Sequence, residues 1–177
     1  MVRGKVGVVT VTYGNRFKLI SQSAEAILKM PNVEKIVVVI NGVEGITLNK
    51  LKEMSIHQPK LILLDLGYNS GSAKGFNAGI KKILKENIDF IWLLDDDNLP
   101  KNNALVKLLF FWNKVNTSKK TNKQALLSYR PDRKIYMEAI QRNNPYLMIG
   151  PKNSFLGFHL FKKIKDILNK DKESSHK

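Results

Sequence analysis

Three consecutive carboxylates, Asp95, Asp96 and Asp97, directly follow an apolar run, Phe90 to Leu94, and precede Pro100. Adjacent carboxylates repel one another and are costly to desolvate, so a cation or solvent has to neutralise them. Their oxygens are hard ligands suited to Mg²⁺ or Mn²⁺. In an extended segment residues two apart point the same way, so Asp95 and Asp97 can share one metal ion. Asp96 then points elsewhere, towards a ribose hydroxyl or a cationic side chain. A solvated acidic turn closed by Pro100 would use the same residues. Their place at the carboxyl end of an apolar strand favours the metal.

A second candidate is the segment Asn69 to Gly79, which reads NSGSAKGFNAG. Three glycines and several small residues form a loop that opens a helix. Glycine allows close backbone approach and positive φ, and a helix N-terminus offers N–H groups to an anion. The segment is not a phosphate-binding loop of the G-K-[ST] type. It also lies beyond the first strand–helix turn, where a dinucleotide fingerprint would sit. An ordinary flexible loop ahead of a helix is the plainer alternative.

Several elements must position these residues. Lys5 to Tyr13, Val33 to Ile40, Leu61 to Leu64 and Phe90 to Leu94 read as strands, being β-branched or apolar. Asn41-Gly42 reads as a break after the second. Helical spacing places Leu19, Ile20, Ala24, Ile27 and Leu28 on Lys18 to Met30, stopped by Pro31. It also predicts helices over Thr47 to Ser55, Ala73 to Glu86 and Asn102 to Trp112. Apolar strands separated by helices imply a doubly wound α/β fold with a mostly parallel sheet covered on both faces. Ligands bind such sheets at the carboxyl ends of the strands. The tips Thr12-Tyr13-Gly14-Asn15, Asn41-Gly42, Asp65 and Asp95-Asp96-Asp97 are therefore expected to converge.

The chain reads as one domain over residues 1–168, with its core at 5–112, a Lys-rich loop at 113–123 and a charged tail at 169–177. Ala125 to Tyr129 is a candidate strand, Pro145 to Phe161 an aromatic run punctuated by glycine, and Leu160 to Leu168 a candidate helix. The sequence has 177 residues, no cysteine and a net charge of +15, from 30 Lys+Arg against 15 Asp+Glu. With no thiols, disulfides and thiolate chemistry are excluded. No run approaches the roughly 18 apolar residues of a membrane span, and no signal-peptide pattern is read at the start. A cytoplasmic protein is expected, peripheral at the inner membrane face. The positive field favours anionic partners: phosphorylated substrates, a lipid-linked acceptor or an anionic membrane. No nucleic-acid motif accompanies it, so no specific nucleic acid is expected.

Taken together, the motifs resemble the inverting glycosyltransferases of family 2, which have the GT-A fold. That family's opening V-x-V-x-T-Y-N-R is similar to Val9-Thr10-Val11-Thr12-Tyr13-Gly14-Asn15-Arg16. Its N-x-G-x-x-x-G-x-N-x-G segment is matched at Asn69, Gly71, Gly75, Asn77 and Gly79, and its D-x-D at Asp95 and Asp97. The triple Asp further resembles galactofuranosyl and rhamnosyl transferases. The family's second-strand Asp helps to read the nucleotide base, and Ile40 stands there instead.

The resemblance implies a nucleotide-diphosphate sugar as donor, a UDP-sugar favoured, and Mg²⁺ or Mn²⁺ on Asp95 and Asp97. Thr12, Tyr13, Asn15 and Asn41 would line the nucleoside pocket. Asn69, Gly71, Lys74 and Asn77 would border the sugar and diphosphate, and Asp96 would complete the donor site. A saccharide or lipid-linked hydroxyl would attack the anomeric carbon with inversion. Asp132 and Glu138 are available as general base, with no geometric reason to choose either. The family's acceptor half extends further than residues 113–177 provide, so the chain alone is expected to bind donor and transfer sugar weakly; an oligomeric site is a further option. Two other classes compete: a sugar-phosphate nucleotidyltransferase, and a basic RNA- or membrane-binding module using Phe110, Phe111 and Trp112 beside Lys114, Lys119, Lys120 and Lys123. An aspartyl phosphatase is disfavoured, because Asp95 to Leu99 misses its D-x-D-x-[TV] pattern.

Overall fold

The computed structural model describes residues 4–115, 126, 134–144 and 147. The chain divides into two compact units, Met1–Asn122 and Lys123–Lys177. The first holds β1 (Val6–Gly14), α1 (Phe17–Leu28), β2 (Val33–Val43), α2 (Gly45–His57), β3 (Leu61–Asp65), α3 (Ser72–Ile83), β4 (Phe90–Asp95) and α4 (Ala104–Val115). In the second, α5 (Lys134–Gln141) buries Ala139 and carries an exposed Glu138–Arg142 ion pair of 3.0 Å. The expected strand at Ala125 to Tyr129, the aromatic run, the helix at Leu160 to Leu168, the tail and Asp132 lie outside the described residues, save single positions within them.

The four strands form one parallel sheet in the order β3-β2-β1-β4. The expected doubly wound α/β fold is what the chain adopts. Its layers follow from the alternation of β1, whose successive side chains take opposite faces. Val6 and Val8 pack with Ile20 and Ile27 of α1, Leu51 of α2, and Leu105 and Leu109 of α4. Val9 and Val11 pack on the other face with Ile83 of α3. The chain steps outward from β1 to β3, then returns across the sheet to β4. A constant crossover hand therefore puts α3 opposite α1 and α2.

The seam between α3 and the sheet is made by glycine. A Cβ at Gly75 would lie 2.8 Å from Val11 Cγ1; one at Gly79 would run into Val9 and lie 2.8 Å from Val39 Cγ2; and Ile83 fills the hollow above Gly7. Residues 75, 79 and 83 thus descend α3 against 11, 9 and 7 of β1. Two of the three glycines in the 69–79 segment therefore serve packing. Only Gly71, at φ +83° just before the helix, uses glycine's conformational freedom. Gly79→Ala is expected to lower stability by about 1–2 kcal/mol, because overpacking against two fully buried valines outweighs the gain in helix propensity. Urea unfolding checks this. An unchanged or higher midpoint would show that α3 does not need so close an approach.

Three expectations require correction. Asn41-Gly42 does not end the second strand. Pairing continues to Val43 through a bulge in which Thr12 faces Ile40 and Gly14 faces Val43. Gly42 takes φ +75° there and passes so close to Asn69 that a Cβ would lie 2.6 Å from its backbone nitrogen. Leu19, placed by helical spacing with Ile20, Ala24, Ile27 and Leu28, does not share their burial: it is 39% exposed, because the buried stripe of α1 runs through Ile20, Ser23, Ala24 and Ile27. Asn113 to Val115 belong to α4, not to a Lys-rich loop, since polar side chains on a helix's outer face do not end it. On the same helix Trp112 packs edge-on against Phe90, with ring centroids 5.5 Å apart. Phe110 and Phe111 stay about half exposed.

Candidate functional site

The strand order reverses between β1 and β4, and ligands bind α/β sheets at such a reversal, beyond the carboxyl ends of the strands. Both tips there are polar. The triple Asp alternates: Asp95 is exposed, Asp96 is 3% exposed and the Asp97 side chain is 53% exposed. Asp95, opposite Val11 in register, ends β4 on the face covered by α3. Asp96 turns the other way, towards the start of α1.

Asp96 is held by three donors. Thr12 Oγ1 donates to its Oδ2 at 2.8 Å. Arg16 Nε donates to the same oxygen at 2.8 Å, and Arg16 Nη2 to Oδ1 at 2.7 Å. This fork is the strong, bidentate form of an Arg–carboxylate pair. Arg16 Nη2 also reaches Asp97 Oδ2 at 3.1 Å, and Nη1 donates to the Tyr13 hydroxyl at 3.1 Å. The guanidinium carbon lies 4.9 Å from the Tyr13 ring centroid. The hydrogen bond to Asp96 raises the Arg16 pKa above its ordinary value, burial opposes the rise, and the Asp96 charge adds to it. Arg16 is therefore a fixed positive charge, and Asp96 meets the cationic side chain that was one of its two expected partners.

A second cluster forms at the tip of β2. Asn41, 2% exposed, donates its amide to Asn69 Oδ1 at 3.1 Å. Its own oxygen accepts from the Ser70 backbone at 2.8 Å and the Ser70 hydroxyl at 3.0 Å. Asn69 Oδ1 further accepts from the Gly71 backbone at 3.0 Å. The loop after β3 is thereby tied to β2. Asp65, by contrast, accepts from the Gly67 backbone at 2.8 Å and caps a local turn. It ends the far edge strand, roughly 14 Å from β4 at ordinary strand spacing, so this tip does not join Asp95 to Asp97.

The structure thus sorts the candidate residues. Tyr13, Asp96 and Asp97 meet around Arg16, with Thr12 beneath. Asn41, Asn69 and Gly71 share one hydrogen-bonded cluster. Asn15 accepts from the Thr47 hydroxyl at 3.2 Å, at the start of α2. Lys74 and Asn77 stand exposed on α3, where with Ala73, Ala78 and Lys81 they line an open depression of about 370 Å³. Thr12 and Asn41 were expected to line the nucleoside pocket. They are 0% and 2% exposed, and their polar atoms serve Asp96 and Ser70. Ile40, 2% exposed in the core, offers no polar group for a base. Arg16 and Ser70 were missing from the candidates. The need of three carboxylates for a cation, and the Arg just after the first strand, were signals for Arg16.

The residues fit a divalent ion of the Mg²⁺ or Mn²⁺ type. Asp95 and Asp97 are exposed and flank Asp96, which is buried and neutralised by Arg16, and carboxylate oxygens are the hard donors such ions prefer. Among the described residues no group of three or more His, Cys, Asp or Glu forms a protein-only cage.

The profile of glycosyl transferase family 2 matches residues 7–163, and the chain belongs to that family. No curated protein matches it. S. aureus TarS 1–349 in complex with UDP-GlcNAc is similar at 23% identity and a TM-score of 0.53, over 70% of this chain and 37% of that one. A second S. aureus TarS structure gives 22% identity and a TM-score of 0.52, over 70% and 23%. The mannosyltransferase PcManGT from Pyrobaculum calidifontis, in complex with GDP-Man and Mn²⁺, gives 22% and 0.49, over 58% and 30%. The likeness to TarS concerns the fold. This chain spans between 23% and 37% of the length of these three structures.

Proposed function

We propose that the chain binds a nucleotide-diphosphate sugar, a UDP-sugar favoured, at the carboxyl ends of β1, β2 and β4, and transfers the sugar with inversion to an acceptor hydroxyl. The carrying observation is the split of the triple Asp: Asp95 and Asp97 exposed at the strand-order reversal, Asp96 buried against Arg16. Family membership supports the reaction class, and the galactofuranosyl or rhamnosyl character of the donor rests on the triple Asp alone. In this reading Asp95 and Asp97 would hold Mg²⁺ or Mn²⁺, which would supply positive charge to offset the negative charge developing on the leaving diphosphate. Tyr13 and Asn15 face the nucleoside, with Thr12 and Asn41 fixing the two walls. Asn69, Gly71, Lys74 and Asn77 border the diphosphate and sugar. The acceptor proton needs a base within hydrogen-bond reach. Of the two candidates, Glu138 is paired with Arg142 and Asp132 lies outside the described residues, so neither is assigned.

Binding is expected to depend on the metal. Calorimetry with UDP, dTDP and GDP, each with Mn²⁺ and again with excess chelator, is expected to show affinity only with metal, and highest for UDP. Equal affinity in chelator would sink the metal reading, and a preference for dTDP or GDP would sink the choice of base.

A lipid-linked or phosphorylated acceptor fits the +15 net charge. Exposed Phe110 and Phe111, with Lys114 5.7 Å from the Phe110 ring, give α4 the mixture of ring and cation suited to a membrane surface. Among the described residues no helix is long and apolar enough to cross a membrane. Sedimentation with phosphatidylserine vesicles at low salt is expected to capture the chain, and Phe110→Ser/Phe111→Ser to weaken capture. Indifference of the unaltered chain to such vesicles would remove the peripheral placement.

A further inference from the structure

We infer that Arg16 is a built-in counter-cation of the Asp95–Asp97 site, holding Asp97 in place and keeping a bare divalent ion weakly bound until a diphosphate accompanies it. This rests on the reading of Asp95 and Asp97 as metal ligands. The argument starts from how unequally Arg16 holds its two carboxylates. Asp96 receives two close bonds of 2.7 and 2.8 Å and is almost wholly buried; Asp97 receives one shared bond of 3.1 Å and is half exposed. Moving the guanidinium away would leave Asp96 charged, buried and supported by Thr12 alone, which is costly. Nε, Nη1 and Nη2 all donate, and the Tyr13 ring covers the group. Arg16 therefore stays when a metal arrives, and Asp97 is the partner that can be shared.

A divalent ion at Asp97 would then meet a fixed positive charge a few ångströms away, an unfavourable contact even in a well-screened site. A diphosphate brings enough negative charge to offset both cations. Metal and nucleotide should consequently bind cooperatively, each strengthening the other by the same factor. Arg16 is a positioning residue here, acting through Asp97 and not on the sugar.

The test is Mn²⁺ affinity of the full chain, read by electron paramagnetic resonance with and without UDP. The unaltered chain is expected to bind bare Mn²⁺ at least about tenfold more weakly than Mn²⁺ with UDP, a typical size for coupling between sites. Arg16→Gln/Asp96→Asn replaces the ion pair with two neutral amides of similar shape. The double change removes one positive and one negative charge, so the expected gain comes from freeing Asp97 Oδ2 from the guanidinium: bare Mn²⁺ should bind about threefold more tightly, and the UDP enhancement should fall by the same factor. Arg16→Lys keeps a charge over Asp96 but lacks the fork needed to reach both carboxylates. It is expected to tighten bare Mn²⁺ binding by a smaller factor, and it carries the test if circular dichroism shows the double variant unfolded. Bare Mn²⁺ affinity that is unchanged or weaker in the folded variants overturns the inference while leaving the metal site standing. Mn²⁺ binding with UDP that survives Asp95→Asn/Asp97→Asn overturns both, because the ion then sits elsewhere.

Discussion

Asp97→Ala is expected to weaken metal-dependent binding of UDP by about a hundredfold or more, the upper end of what loss of a group supporting a metal costs, while leaving the fold intact. The fold should survive because the Asp97 side chain is 53% exposed and its one ion pair, to Arg16 at 3.1 Å, is of the exposed kind. Such pairs contribute about 0–1 kcal/mol, and removing one of three adjacent carboxylates also relieves repulsion. Arg16 keeps its fork to Asp96. The melting temperature of the ligand-free chain should therefore move by no more than about 3 °C. Calorimetry with Mn²⁺ and UDP, paired with thermal unfolding without ligand, reads both quantities. Retained binding would show that Asp97 is not a ligand, and a large fall in melting temperature would make it a structural residue.

The fold was largely legible because its strands are parallel and covered on both faces. Val8, Val9, Val37, Val38 and Val39 are all fully buried, and such strands announce themselves as unbroken apolar runs. The parallel topology also carried the expectation that the strand tips converge, which the edge strand's Asp65 does not meet. What stayed hidden depends on partners distant in the chain. Asn41-Gly42 looks like a turn, yet its conformation is set by Asn69 and Ser70, 28 and 29 residues on. Gly75 and Gly79 read as part of a glycine-rich loop that offers backbone N–H groups to an anion, yet their spacing answers to Val11 and Val9 across the sheet. Alternation along Asp95 to Asp97 predicted that Asp96 faces away from its neighbours. It could not say that the partner is Arg16, 80 residues earlier, or that the same Arg touches Asp97. Periodicity gives the face of a residue, and only packing gives the neighbour.

The contrast with Asp97 gives the sharpest test of how the triple Asp is divided. Asp96→Ala is expected to destabilise the chain by about 2–4 kcal/mol, somewhat below the full cost of breaking a buried ion pair. The discount reflects the 24% exposure of the Arg16 side chain, which lets water take over part of the lost interaction. Three effects add up. The Arg16 guanidinium keeps only Tyr13 and the exposed Asp97 as partners. The buried Thr12 hydroxyl loses its acceptor. A small cavity opens between the tip of β1 and the start of α1. For a chain of this size the melting temperature should fall by about 5–15 °C. Asp96→Asn preserves the shape and one acceptor oxygen, so it should recover part of the loss. Thermal unfolding of Asp96→Ala, Asp96→Asn and Asp97→Ala without ligand would rank them. If Asp96→Ala melts no lower than Asp97→Ala, the Thr12–Asp96–Arg16 network is not what holds the triple Asp, and the division into one structural and two ligand carboxylates fails.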